Sequence, residues 1–215
     1  MVHSLCTAVI NLVLYCGTKS RVKRSDHVRV KDKVAIITGA GSGIGRESAL
    51  LFAKEGAKVV VAERDEANGQ ETVRLIEEQN GTALFVKTDV TDEDSVQNMV
   101  DETVKAFGKI DVLFNNAGIS GVGQLHEVDR DTWLKVFDVN VTGVFLVCKA
   151  VVPVMMKAKK GSIINMSSCI AEIGLPNRAC YAASKGAVLA LTKSMQVDYA
   201  PYNIRVNALM PGTIH

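Results

Sequence analysis

The apolar run Val34-Ala35-Ile36-Ile37 leads straight into a glycine-rich turn, Thr38-Gly39-Ala40-Gly41-Ser42-Gly43-Ile44-Gly45, and a helical pattern comes directly after it. No other feature restricts the fold as strongly, because a buried strand has to turn into the start of a helix within a few residues. Gly39 permits the sharp turn, Gly43 lets the backbone approach an anion such as a pyrophosphate, and Gly45 lets the helix pack against the strand. The free N–H groups at the helix start then face that anion. The spacing is G-x-x-x-G-x-G, which departs from the G-x-G-x-x-G of the general dinucleotide fingerprint.

Short apolar runs alternate with amphipathic stretches over the rest of the chain, as expected of a parallel sheet covered on both faces. The pattern predicts strands at about 33–38, 58–62, 82–88, 110–115, 161–167 and 203–209. It places helices at about 43–55, 65–79, 92–107, 131–158 and 179–200. Leu50, Leu51 and Phe52, and Val96, Val100, Val104 and Phe107, have helical spacing and read as core. The implied strand order is 3-2-1-4-5-6, with ligands expected beyond the carboxyl ends of the strands, at the switch point between strands 1 and 4. The glycine turn follows strand 1, Asn115-Asn116-Ala117-Gly118 follows strand 4, Ser168 follows strand 5 and Pro211-Gly212 follows strand 6. All of these motifs therefore fall at one end of the sheet.

Tyr181 and Lys185 stand four residues apart, and Ser168 precedes the tyrosine by thirteen. On a helix, residues i and i+4 share a face, so the ammonium can sit beside the phenol and favour the phenolate. A free tyrosine titrates near ~10, and each unit of lowering corresponds to ~1.4 kcal/mol, so a suitable site makes it an acid or base near neutral pH. A lone Tyr-x-x-x-Lys pair is common on helix surfaces; here it accompanies the glycine turn.

Together these residues resemble the short-chain dehydrogenase/reductase family over essentially Asp32 to Thr213, through Thr38-Gly39-x-x-x-Gly43-x-Gly45, Asp89-Val90, Asn115-Asn116-Ala117-Gly118, Asn140, Ser168, Tyr181-x-x-x-Lys185 and Pro211-Gly212. The resemblance implies an α/β fold: a Rossmann-type, doubly wound, three-layer parallel sheet that lacks the family's final strand. It implies an NAD(P)-dependent oxidoreductase that moves hydride between a nicotinamide cofactor and a secondary alcohol or ketone. Tyr181 would be the acid/base, Lys185 its electrostatic partner and a ligand of the nicotinamide ribose, Ser168 a donor to the substrate oxygen, and Asn140 part of a proton relay. Cofactor contacts would come from Gly39, Ser42, Gly43, Ile44, Gly45, Glu63, Asp89, Val90, Asn116, Ala117, Gly118, Tyr181, Lys185, Pro211 and Gly212.

Several of these residues have a plainer alternative. Asn115 and Asn116 can simply stabilise a turn, Asp89 can cap a helix beginning near Thr91, and Asn140 can be structural. Ser167 competes with Ser168, and the spacing to Tyr181 selects Ser168. Cys169 and Cys180 flank the site with no adjacent histidine and read as packing or pocket lining. Glu63 ends the second apolar strand eighteen residues after Gly45, where an acid hydrogen-bonds the adenosine ribose and repels a 2′-phosphate. Arg64 pulls the other way. With Ser42, rather than a basic residue, before the second motif glycine, NAD is favoured over NADP.

A formal charge of +2 over 215 residues gives no support to a nucleic-acid partner. Five cysteines without CxxC spacing, and histidines at 3, 27, 126 and 215, suggest reduced thiols and no structural metal. One catalytic domain, 31–215, is expected after an extension, 1–30, read as disordered or targeting. Its apolar part, Leu5 to Cys16, precedes Lys19, Arg21, Lys23 and Arg24. It is shorter than the roughly 20 residues that span a bilayer. A cytoplasmic location is expected, with organellar targeting or a membrane tether left open. The chain stops at His215, before the lid, helix and last strand usual in the family. A truncated, weakly active form that binds cofactor or pairs with another subunit is therefore the alternative. The resemblance suggests a homodimer or tetramer built through the two long helices.

Overall fold

The computed structural model describes residues 6–10 and 30–212. Six parallel strands, β1 (Val34–Thr38), β2 (Lys58–Glu63), β3 (Thr82–Lys87), β4 (Val112–Asn115), β5 (Gly161–Met166) and β6 (Ile204–Leu209), form one sheet in the order β3-β2-β1-β4-β5-β6. The order and the strand positions agree with the sequence pattern. β1 and β5 are buried along their whole length, as expected of apolar runs covered on both faces.

Helices α1 (Gly43–Lys54), α2 (Glu66–Glu77), α3 (Glu93–Phe107), α4 (Arg130–Phe137), α5 (Gly143–Ala158) and α6 (Ala179–Tyr199) supply the crossovers. α3, α5 and α6 cover one face, where Val96, Met99, Val147, Val151 and Val188 meet Ile36, Leu113 and Ile163. α1 and α2 cover the other, where Phe52 and Ile76 meet Ile37, Val61, Phe114 and Ile164. Asp65 caps α2 and Asp92 caps α3, each accepting from backbone N–H groups of the first turn. α1 differs: its N-cap, Ser42, makes no side-chain cap, and no acid stands in its first turn.

The single helix expected at 131–158 is instead three pieces, because a π-helical turn, Asp138–Thr142, separates α4 from α5. Such a turn inserts a residue and rotates the helix beyond it, and here the buried side chain so placed is Asn140. Arg130–Ala158 is also the one stretch among the described residues long and apolar enough to cross a membrane. Its apolar side chains pack on the sheet, burying Val144, Val147, Val151 and Met155.

Residues 6–10 depart from the expectation that the first thirty residues lie apart from the fold. They are helical, and Cys6, Val9 and Ile10 are at most 1% exposed within the cluster that holds Phe52, Phe114, Ile164 and Leu209. Ser48 in α1 donates from Oγ to Cys6 Sγ at 3.3 Å. The rest of the extension, 1–5 and 11–29, lies outside the described residues. Ile10→Ala is expected to lower Tm by roughly 5–10 °C, since deleting a buried isoleucine costs about 2 kcal/mol or more. An unchanged thermal midpoint would remove the segment from the core.

Candidate active site

The carboxyl ends of the six strands share one rim of the sheet. After β1 the chain turns through Gly39 at φ +64, where a β-carbon would lie 2.9 Å from Ala117 Cα. A β-carbon on Gly45 would lie 2.0 Å from the Gly39 carbonyl oxygen, so helix and turn touch backbone to backbone. Gly43 has nothing within 4 Å of such an atom, and it opens the uncapped start of α1 to the outside. Ser42 and Gly43 are exposed beside the half-buried Ile44. This is the geometry of an anion cradle.

The loop after β4 is bonded to that turn. Thr38 Oγ1 accepts from the backbone N–H of Asn116 at 3.0 Å and of Ala117 at 3.1 Å. Asn116 Nδ2 donates to the carbonyls of Thr38 at 3.1 Å and Gly39 at 3.2 Å. Asn115 points into the core, donating to Asn165 Oδ1 at 2.9 Å and to Cys148 Sγ at 3.1 Å. The two asparagines therefore do different work: one ties strands together, the other holds the cradle.

Glu63 ends β2 and faces the turn. Its Oε2 accepts from Gly41 N at 2.9 Å, and its Oε1 from Arg64 N at 2.8 Å and Asp65 N at 3.0 Å. Arg64 turns away, 4.0 Å from Asp89 Oδ2. Asp89 Oδ1 accepts from Thr91 N at 3.0 Å and Thr91 Oγ1 at 2.7 Å, bonds that hold its carboxyl below the usual range. The cap of α3 is Asp92 rather than Asp89, and Val90 next to it is buried against Gly143.

Tyr181 and Lys185 lie in the first two turns of α6, with Lys185 Nζ 5.6 Å from the Tyr181 ring centroid. Lys185 is 3% exposed and donates to the Met166 carbonyl at 2.8 Å. Burial lowers its pKa to about 8. Burial pushes the Tyr181 phenol above its ordinary value, while hydrogen bonding with Ser168 and then the charge of Arg178 pull it back. Ser168 and Arg178, not the lysine, thus supply the downward pull on this phenol. The Ser168 hydroxyl also makes two long contacts, donating to the Pro211 carbonyl and accepting from Ile170 N, both at 3.4 Å. Ser167 is fully buried and donates to the Lys185 carbonyl at 2.9 Å, a structural role.

Asn140 is 1% exposed. Its Oδ1 accepts from Ile119 N at 2.8 Å, and its Nδ2 donates to the Ile119 carbonyl at 2.9 Å and to Ser184 Oγ at 3.0 Å. A β-carbon on Gly118 would lie 3.2 Å from Asn140 Oδ1 and 3.5 Å from Lys185 Nζ, so amide and ammonium face one small space. The Pro211 carbonyl accepts from Cys169 N at 3.1 Å, which brings the chain after β6, with the exposed Gly212, to the same rim.

The family model described as short chain dehydrogenase matches residues 33–215. The chain belongs to the short-chain dehydrogenase family. An uncharacterised oxidoreductase of Thermotoga maritima is 46% identical over 181 residues, covering 84% of this chain and 71% of that protein. A cyclopentanol dehydrogenase of a Comamonas species is 42% identical over 186 residues, covering 86% of this chain and 74% of that one. The crystal structure of an NAD+-bound xylitol dehydrogenase superposes with a TM-score of 0.83 at 40% identity, over 85% of this chain and 71% of that one. The family member described here is accordingly an NAD(P)-dependent oxidoreductase acting on CH–OH groups.

Sequence reasoning passed over Arg46, whose guanidinium bonds to the Gly41 carbonyl and, at 3.0 Å, to Thr72 Oγ1, bracing the glycine turn from α1. Its place within the first turn of the helix after the motif was the available signal. The same reasoning passed over Arg178, three residues ahead of Tyr181, whose charge lowers the pKa of the phenol.

Proposed function

We propose that the chain interconverts secondary alcohols and ketones, with Tyr181 as the proton-transfer group and NAD as the preferred cofactor. The observation that carries this is the placement of Tyr181, Ser168, Lys185 and Asn140 on the rim where the glycine turn opens. The residues suit a dinucleotide. The open Gly43 and the uncapped start of α1 fit a pyrophosphate, Glu63 a ribose hydroxyl pair, and Asn116, Ala117, Gly118, Pro211 and Gly212 the remaining wall. A nicotinamide held there would supply the hydride chemistry, acceptance from a carbinol carbon or donation to a carbonyl carbon.

The protein's own part is acid–base chemistry and orientation. In oxidation the Tyr181 phenolate accepts the alcohol proton while Ser168 donates a hydrogen bond to the substrate oxygen; in reduction the phenol gives the proton back. Lys185 would hold ribose hydroxyls and, with its pKa lowered to about 8, gains and loses a proton close to neutral pH. Asn140, whose Oδ1 faces the same space beside Gly118, would position the water that carries that proton outward. Asp89 and Val90 would border the adenine. Exposed Phe145 on α5 and Val197 on α6 favour a dimer or tetramer built through those helices.

Tyr181→Phe is expected to lower turnover by about 10²–10⁴-fold with NAD affinity little changed. Turnover close to wild type in that variant would refute the assignment. The Glu63 carboxylate should repel a 2′-phosphate, so kcat/KM is expected to favour NAD over NADP, and Glu63→Gln should narrow the gap. A wild-type preference for NADP would overturn the cofactor reading.

A further inference from the structure

The segment just before Tyr181 is clasped to the loop that follows β4. Asn177 adopts φ +57, and its carbonyl accepts from Gly123 N at 3.0 Å. Gly123 and Arg178 then form an isolated parallel bridge, and Arg178 Nη1 donates to Ser120 Oγ at 2.8 Å. This clasp holds the guanidinium at the entrance to α6, three residues ahead of the reacting tyrosine.

Two features of that position call for a ligand. A guanidinium carries five donors, and Arg178 has the Ser120 hydroxyl as its hydrogen-bond acceptor; among the described residues no carboxylate lies within ion-pair distance of it. The two clasped loops also present apolar side chains to solvent: Val122 and Leu125 on one at 65% and 69% exposure, Ile173 and Leu175 on the other at 55% and 49%. An unpaired cation on loops that carry exposed apolar side chains is complementary to an apolar molecule that carries one anionic group.

We infer that Arg178 is a specificity-determining residue that pairs with a carboxylate on the substrate, so that the substrate class is an apolar secondary alcohol or ketone bearing a carboxylate. The inference rests on the alcohol–ketone reading above and deepens it. The serine clasp fixes one edge of the guanidinium and leaves its other edge for a bidentate contact, while Val122, Leu125, Ile173 and Leu175 cover the hydrocarbon body. The carbinol carbon is thereby set at a fixed reach from Arg178, beside Ser168 and Tyr181.

The test compares two unreactive probes of the same shape, cyclohexanecarboxylate and its neutral amide, binding to the intact chain in the presence of NADH, measured by calorimetry or ligand-observed NMR. The wild type should bind the carboxylate about tenfold or more tighter than the amide, as a charge-assisted contact requires. Arg178→Gln should bind the two alike, and Arg178→Lys should recover part of the preference, which a mere loop clasp would not do. Equal binding by the wild type, or a carboxylate preference that survives in Arg178→Gln, would overturn the inference. The alcohol–ketone reading is checked separately by NADH consumption with cyclohexanone and with 4-oxocyclohexanecarboxylate. A wild type inactive on both ketones that still binds the carboxylate probe more tightly than the amide would sink that reading and leave the anion contact standing.

Discussion

Two loops meet with no space between them at the middle of the sheet, and the rest of the site is built outward from that contact. Thr38 Oγ1, the Thr38 and Gly39 carbonyls, and the side chain and N–H of Asn116 satisfy one another, while Gly39 and Gly45 leave no volume for a side chain. Each such bond contributes only about 1 kcal/mol net, but a partner left unsatisfied in this buried place costs about 1–3 kcal/mol. The contact therefore acts as a geometric stop. It fixes Gly118, whose missing side chain leaves the space that Asn140 and Lys185 face, and it leaves the start of α1 open.

Burial dominates the electrostatics of the rim. Lys185 bonds to the Met166 carbonyl, and burial lowers its pKa. The Tyr181 phenol is held above its ordinary value by burial, with Ser168 and Arg178 as the opposing influences. A phenol in that condition is mostly protonated at neutral pH. The expectation that an i+4 lysine favours the phenolate took account of distance along the helix but not of the lysine's own desolvation. The Met166 carbonyl at the end of β5 also takes a hydrogen bond from the lysine.

Much of this arrangement was legible in the chain's own pattern. Buried parallel strands are near-continuous apolar runs, so Val34 to Ile37 and Val59 to Ala62 stood out, and glycines at fixed offsets marked the only turn that a strand feeding a helix directly allows. Harder to see were features that depend on partners remote in sequence. The π turn at Asp138–Thr142 has the composition of ordinary helix, and only the bonds of Asn140 to Ile119 and Ser184 account for it. Residues 6–10 looked detached because an apolar segment ahead of a basic one carries no mark of where it packs; the cluster around Phe114 and Ile164 supplies that place. The clasp of Arg178 to Ser120 and Gly123 likewise joins loops far apart in sequence.

One experiment bears on the claim that a dinucleotide and the Tyr181–Lys185 pair occupy one rim: a crystal structure of this chain grown with NAD+. The account predicts the pyrophosphate against Gly43 at the start of α1, and the nicotinamide ribose in contact with the side chains of Tyr181 and Lys185. A dinucleotide bound elsewhere, or one whose nicotinamide end points away from Tyr181, would contradict it.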